Sequence, residues 1–133
     1  MTSLTRADAV QAALDAAYKG SVHLPTADKA AFVTDILGPR LAAAALGLKD
    51  TRTLQSWAGG GAIRGVDHEH RLQLLYRATA AIDAIYSPAV AAAFLRGSNP
   101  VLGDRAPMIV IADDDPVAAE TAVVDAVEAL LES

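Results

Sequence analysis

The sequence contains no cysteine, so neither a disulfide bond nor a thiolate zinc site can form. Aromatic residues make up only 5% of the 133 residues, and β-branched runs are few, which disfavours an extensive sheet. No stretch of about 18 consecutive apolar residues is free of charge, so we expect no membrane span. The first residues lack a basic stretch followed by an apolar one, so we expect no secretion signal and a cytoplasmic location.

The composition instead favours helices. Alanine is abundant, and apolar residues recur three and four positions apart along most of the chain. Six or seven helices are predicted, which makes the fold all-α, a compact multi-helix domain. The apolar run 108–111 fits either a strand or one helical turn, and we favour the helical turn. The predicted helices are about 5–19 (ended by Gly20), 26–37 (ended by Gly38), 39–46 (ended by Gly47), 51–58 (capped by Asp50 or Thr51), 67–86 (begun by Asp67), 88–95 (capped by Ser87) and 116–133 (capped by Asp115).

The net charge of −5 is distributed unevenly. Residues 1–37 carry a net charge of −1, residues 38–103 carry +3, and residues 104–133 carry −7. A mildly basic middle suits phosphate groups and an acidic end suits a basic protein surface, although an ordinary soluble protein with an acidic end has the same distribution. Independently of charge, we distinguish an N-terminal helical region, residues 1–86, from a C-terminal region, residues 87–133, which begins at the Ser87-Pro88 helix start.

Residues 39–58 have the pattern of a helix-turn-helix. Ala43 is small enough for a second helix to cross closely, and Gly47, four positions later, tolerates the turn. Leu54 and Trp57 are three positions apart and are predicted to anchor the second helix in the core. An Ala-rich hairpin that binds no DNA has the same spacing. The low basic content argues against tight DNA binding by a monomer, and a homodimer on a palindromic site would double the contacts. The candidate DNA-binding residues are Arg40, Lys49, Thr51, Arg52, Gln55, Ser56 and Arg64.

The sequence contains no recognisable catalytic or metal-binding constellation. His68 and His70 are two positions apart on a predicted helix, so their side chains point in different directions. The carboxylates at 113–115 lack the spacing of a calcium loop, and helix capping explains Asp115. The glycines at 59–61 are not followed by the Lys-Ser/Thr of a phosphate loop. We therefore expect no enzyme activity, no cofactor and no metal.

The segment FLRGSNPVLGDRAP, residues 94–107, interrupts the helices with Asn-Pro, Leu-Gly and Ala-Pro steps. Its local chemistry predicts that helix stops between Gly97 and Pro100 and restarts near Pro107. In its order after a helix-turn-helix that ends in Trp and Gly, this segment resembles the toxin-binding region of the Xre/MbcA/ParS-type antitoxins. The resemblance covers about residues 35–133.

This resemblance implies a small, helical, dimeric antitoxin encoded beside a RES-domain toxin that degrades NAD. Residues 87–133 would cover the entrance to the toxin active site, and the helix-turn-helix would repress the shared operon by binding operator DNA. Two features depart from the family: Phe94 stands where Trp is more frequent, and residues 108–111 are unusually apolar, which indicates either deeper burial or a changed interface. The toxin-binding residues implied are Asn99, Pro100, Leu102, Gly103, Arg105, Pro107, Glu128 and Glu132.

Two other functions fit the same residues. One is a stand-alone dimeric helix-turn-helix transcriptional regulator, in which the C-terminal half serves only dimerisation. The other is a helical adaptor whose helix-turn-helix no longer binds DNA, which agrees with the small number of basic residues. The presence of a toxin gene next to this one would distinguish the antitoxin from both alternatives.

Overall fold

A computed structural model describes residues 5–133, over which the chain forms eight α-helices and one short 3-10 turn. This part of the chain contains no β-strand, so the predicted all-α fold is confirmed. Seven of these helices correspond to the seven predicted ranges. The eighth contains residues 108–111, for which the sequence favours a helical turn over a strand. The helices are α1 (Arg6–His23), α2 (Thr26–Leu37), α3 (Pro39–Ala45), α4 (Arg52–Ala58), α5 (Val66–Ile85), α6 (Pro88–Arg96), α7 (Pro107–Asp113) and α8 (Pro116–Leu131), with the 3-10 turn at Pro100–Leu102.

Most helices begin where short-range chemistry predicts. The Ser87 hydroxyl accepts a hydrogen bond from the Val90 N–H (3.1 Å), and the Asp115 carboxylate accepts one from Ala118 (3.1 Å). Thr5 and Asp8 form a reciprocal capping box at the start of α1. Because the Ser87 and Asp115 contacts span only three residues, the sequence alone was sufficient to locate these two caps.

The predicted end of the first helix at Gly20 is wrong, because α1 continues to His23. Gly20 instead lies against the ring of Tyr76 in α5. A Cβ atom built at Gly20 would stand 2.6 Å from the Tyr76 hydroxyl oxygen and 2.8 Å from a ring carbon. The glycine therefore permits close packing of α1 on α5.

The long central helix α5 begins at Val66, one residue before the predicted Asp67, and follows Gly65 in a left-handed conformation (φ 90°). It packs against five helices, namely α1, α2, α6, α7 and α8. Its inward face, which includes Leu72, Leu75 and Ile82, is fully buried. The 3–4 spacing of apolar residues had predicted this buried face.

The hydrophobic core is continuous across the proposed boundary between residues 1–86 and 87–133. Trp57, Leu95 and Val123 belong to the same cluster of buried side chains. The two regions therefore differ in their proposed roles and share one core. None of the helices within residues 5–133 is long and apolar enough to cross a membrane.

The unusually apolar run 108–111 lies in α7, which packs against α3, α6 and α8. Val110 and Ile111 are buried in the core, whereas Ile109 is 42% exposed. The backbone of Ala112 approaches Gly47 so closely that a Cβ there would stand 3.4 Å from the Ala112 carbonyl oxygen. Core burial therefore explains two of these four apolar residues.

Candidate functional site

The connection between α3 and α4 turns at Gly47, which has a left-handed backbone (φ 73°). The Leu48 N–H donates to the Ala43 carbonyl (3.0 Å), and the Gly47 N–H donates to the Ala44 carbonyl (3.0 Å). This paired pattern is a Schellman motif, which satisfies the last carbonyls of α3. Gly47 therefore ends the helix as predicted.

Helix α4 is anchored by Leu54 and Trp57, which are 0% and 3% exposed, as predicted. It packs against both α2 and α3, and more extensively against α2. Arg52, Gln55 and Ser56 are exposed, as expected for the outward face. This arrangement presents one polar face of a short helix to solvent.

Two of the three glycines after α4 turn the chain. Gly60 adopts a left-handed conformation (φ 101°), and the Gly61 N–H donates to the Ser56 carbonyl at 2.7 Å. A Cβ at Gly61 would stand 2.8 Å from that carbonyl oxygen. The glycines therefore stop the helix and let the chain fold back across Ser56.

This fold-back creates an open groove of about 650 Å³ between α4 and the chain that leads into α5. We call it the arginine groove. It brings together three of the predicted DNA-binding residues, contains two guanidinium groups, one imidazole and two hydroxyl groups, and has no carboxylate in its lining. The lining residues are Leu48, Arg52, Thr53, Ser56, Trp57, Ala62, Arg64 and His68.

Sequence reasoning missed two polar residues of this groove as DNA-binding candidates, Thr53 and His68. The His68 ring lies 5.7 Å from the Trp57 ring, centroid to centroid, with the planes inclined by 59°. Its Nδ1 atom is 3.4 Å from the Arg64 carbonyl oxygen. Trp57 and His68 are separated by a loop whose path the sequence does not indicate, so no local pattern could have predicted the contact between their rings.

The remaining DNA-binding candidates do not line the arginine groove. Arg40, Lys49 and Gln55 are exposed elsewhere on the surface, and Thr51 is half-buried. Thr51 precedes α4 without a side-chain capping bond. The structure therefore brings together only part of the predicted DNA-binding set.

Arg52 is paired with Asp50 at the beginning of α4. The Arg52 Nη2 atom lies 3.0 Å from Asp50 Oδ2, and Asp50 Oδ1 accepts the Arg52 backbone N–H at 2.9 Å. These hydrogen bonds hold the pKa of the Asp50 carboxyl below its usual value. Of the two capping residues considered, Asp50 makes the side-chain bond, and it places a negative charge beside Arg52.

Residues 97–107 form an ordered turn, which we call the Asn-Pro turn. The Asn99 N–H donates to the Arg105 carbonyl (3.1 Å), and the Asp104 N–H donates to the Asn99 carbonyl (2.9 Å). The Asn99 side chain accepts from the Val101 N–H (3.0 Å). Gly103 and Asp104 both have positive φ, of 65° and 67°. The predicted helix stop and restart on either side of this turn are confirmed.

Two residues of the Asn-Pro turn are buried. Leu102 is 8% exposed and Pro107 is fully buried, so they attach the turn to the core and present little surface to a partner. Pro100, Gly103 and Arg105 are exposed, and Asn99 is half-buried. The implied toxin-binding residues thus divide into anchors and exposed positions.

Arg105 links the Asn-Pro turn to the end of α7. Its two terminal nitrogens lie 2.7 and 2.9 Å from the two carboxylate oxygens of Asp114. These hydrogen bonds lower the pKa of Asp114 and raise that of Arg105. The pair holds the turn in a defined orientation relative to α7.

Glu128 and Glu132 lie on a different surface. They line a groove of about 300 Å³ between α8 and α1, together with Asp15 and Arg77. None of residues 97–107 lines it, so the structure does not bring these glutamates together with the Asn-Pro turn. Among residues 5–133 no group of three or more His, Asp or Glu side chains is placed to hold a metal ion.

Comparisons of the chain with protein-family models, with curated proteins and with solved structures found no match. The likeness to the antitoxin family therefore depends on the sequence motif of the Asn-Pro turn and on its position after residues 39–58.

Proposed function

We propose that this protein is an antitoxin of the Xre/MbcA/ParS type. It neutralises a RES-domain, NAD-degrading toxin by covering the entrance to the toxin active site, and as a homodimer it represses its own operon by binding operator DNA. Neutralisation by coverage requires no chemistry from this chain. The protein acts as a binding module and a repressor.

The observation that carries this proposal is the geometry of the Asn-Pro turn. The residues that carry the family resemblance are also the ones that build the turn: Asn99 and Gly103 set its backbone, and Leu102 and Pro107 attach it to the core. Val101, between them, is 50% exposed. A turn held in one conformation before binding loses little conformational entropy when a partner docks on it, which favours tight association.

The charge distribution supports the same partner. Residues 104–133 carry a net charge of −7. An enzyme that binds NAD must accommodate a pyrophosphate, which requires positive potential at its entrance. An acidic surface on the antitoxin is complementary to that entrance and accelerates the encounter of the two proteins.

Growth of cells that express the neighbouring gene product, with and without this chain, tests the proposal. We expect arrest by the toxin alone and rescue by the wild-type chain. Deleting residues 108–133 would remove Ile111, Val123 and Leu131 from the core, so a surface substitution is the sharper probe. Val101→Asp should reduce rescue, whereas Val22→Asp should not, because Val22 is equally exposed (49%) but lies on α1. Equal rescue by both variants would contradict the assignment of the turn.

A helical adaptor without DNA binding is the second candidate, and the Asp50–Arg52 ion pair favours it. The carboxylate of Asp50 engages the guanidinium of Arg52 and adds negative charge at the start of α4, where a DNA phosphate would be repelled. Gel shift with the upstream DNA at low salt separates the candidates. Rescue of growth without any shift would select the adaptor, and a shift without a neighbouring toxin gene would select a stand-alone regulator.

A further inference from the structure

We propose that the arginine groove binds a phosphate of the DNA backbone through Arg64 and His68, so that the DNA interface extends from α4 to the first turn of α5. This inference rests on the DNA-binding part of the proposed function. It adds His68, which the sequence had not indicated, and it assigns Arg64 a partner of defined chemistry, a phosphodiester.

The charges in the groove favour an anion. Arg52 and Arg64 both line it, and no carboxylate does. Arg52 is partly neutralised by Asp50, whereas Arg64 forms no ion pair with any residue in the range 5–133. Arg64 is therefore the cation in this groove whose charge is available to a ligand. In a chain of net charge −5, a groove with two guanidinium groups and no carboxylate in its lining favours an anionic ligand.

Hydrogen-bond donors surround the same space. The Thr53 and Ser56 side chains line it from α4, and the imidazole of His68 lines it from α5. The His68 ring rests against Trp57, which is 3% exposed and forms the floor of the groove. This contact restricts the orientation of the imidazole, so a ring N–H can meet a phosphate oxygen with little loss of side-chain freedom.

The shape and position of the groove favour a polymer strand over a free nucleotide. The groove is open, and Trp57, its one large aromatic side chain, is almost wholly buried, which leaves little ring face for stacking by a base. It also adjoins the exposed face of α4, which contains Gln55. A strand whose bases meet that face would place its backbone beside the groove.

Trp57 provides a local reporter, because it is the only tryptophan in the protein. Titration with a fluorescein-labelled duplex of the upstream sequence would be followed by anisotropy, and titration with the unlabelled duplex by Trp57 emission. We expect both signals to change over the same concentration range. AMP and NAD, titrated alone, should leave the emission unchanged at concentrations at which the duplex saturates it.

Four variants assign the contact. Arg64→Ala should weaken binding and reduce the slope of log affinity against log salt by about one between about 50 and 200 mM salt. His68→Gln should weaken binding by about threefold, the effect of an exposed polar contact. His70→Gln and Arg96→Ala are the matched controls and should bind as the wild type does. His70 lines a different cavity with Tyr18, and Arg96 is exposed at the end of α6.

Each outcome decides between the inference and the function on which it rests. If the duplex binds but the Arg64→Ala slope and the Trp57 emission are unchanged, the groove assignment is wrong and DNA binding stands. If no duplex binds even at about 50 mM salt, DNA binding itself fails. If AMP or NAD alters Trp57 emission at lower concentrations than the duplex does, the groove is a nucleotide site and the inference is overturned.

Discussion

The guanidinium of Arg105 meets the carboxylate of Asp114 through two hydrogen bonds, of 2.7 and 2.9 Å, and thereby joins the Asn-Pro turn to the end of α7. Both side chains are accessible to solvent. An accessible ion pair contributes little to global stability, but its two-point geometry restricts the orientation of the turn. Its main consequence is therefore for the orientation of the turn.

Arg105→Ala should leave the thermal midpoint nearly unchanged and weaken binding of the proposed toxin, because the turn loses its attachment to α7. Arg105→Lys should recover only part of the affinity, since lysine retains the charge but cannot form the paired geometry. Calorimetric titration and thermal unfolding of the same samples would separate the two effects. A large fall in the midpoint with unchanged affinity would show that the pair serves folding instead.

Stability should depend on pH through Asp114, whose pKa is lowered by the hydrogen bonds from Arg105. The unfolded chain then takes up the proton at higher pH than the folded chain does. The stabilisation is complete above the ordinary aspartate pKa, about 3.9, and is lost as the pH falls through the lower folded value. The difference in unfolding free energy between the wild type and Asp114→Asn should therefore shrink as the pH falls from about 6 towards 2.

Asp50 provides a second test in the same acid titration. Its pKa is lowered by Arg52 in the same way, so Asp50→Asn should also reduce the loss of unfolding free energy as the pH falls. Asp125→Asn is the control variant, because Asp125 is exposed on α8 and belongs to none of the three ion pairs found in residues 5–133. A difference between wild type and Asp114→Asn that is the same at every pH would contradict the role given to the pair.

Gly20→Ala should destabilise the protein, although alanine normally favours a helix by about 1 kcal/mol over glycine. The added Cβ would stand 2.6 Å from the Tyr76 hydroxyl oxygen. Overpacking of this kind costs about 1 to 3 kcal/mol, which outweighs the gain in propensity. Urea unfolding gives the change in free energy. In a Tyr76→Phe background the cost should be smaller, and an equal cost there would place the strain elsewhere.

Trp57→Ala should destabilise the fold by about 3 to 5 kcal/mol, because it empties a large volume in the core. Trp57 is 3% exposed and packs beside Leu54 on the inner side of α4. Arg52→Ala changes the outer side of the same helix and should lower the unfolding midpoint only slightly, because its ion pair with Asp50 is exposed, while weakening DNA binding. Circular dichroism in urea, together with gel shift, would show whether the two faces of α4 separate in this way.

The parts of this fold that depend on neighbouring residues were predictable. The side chains of Ser87 and Asp115 each accept a hydrogen bond from an N–H three residues later and so cap α6 and α8. The apolar spacing of α5 indicated its buried face. Gly20 was misassigned because its role depends on Tyr76, 56 positions later in the chain. A glycine that ends a helix and one that admits a neighbouring ring are identical in sequence.

The candidate sites divide in the same way. The Asn-Pro turn could be located from Pro and Gly alone, but the burial of Leu102 and Pro107 depends on helices from elsewhere in the chain. The arginine groove depends on the chain folding back after Gly60 and Gly61, so His68 could not be placed beside Trp57 beforehand. Tertiary contacts, which have no local pattern, account for these differences.

The most direct test of the central claim uses the proposed RES-domain toxin, purified as the product of the neighbouring gene. The rate at which it consumes NAD would be measured while this protein is titrated into the reaction. We expect the rate to fall to zero as the protein approaches a fixed ratio to the toxin. Val22→Asp should inhibit like the wild type. Val101→Asp should require about tenfold more protein, which is equivalent to about 1.4 kcal/mol of lost interaction free energy. An NAD-consuming rate that stays constant at saturating wild-type protein would contradict the account.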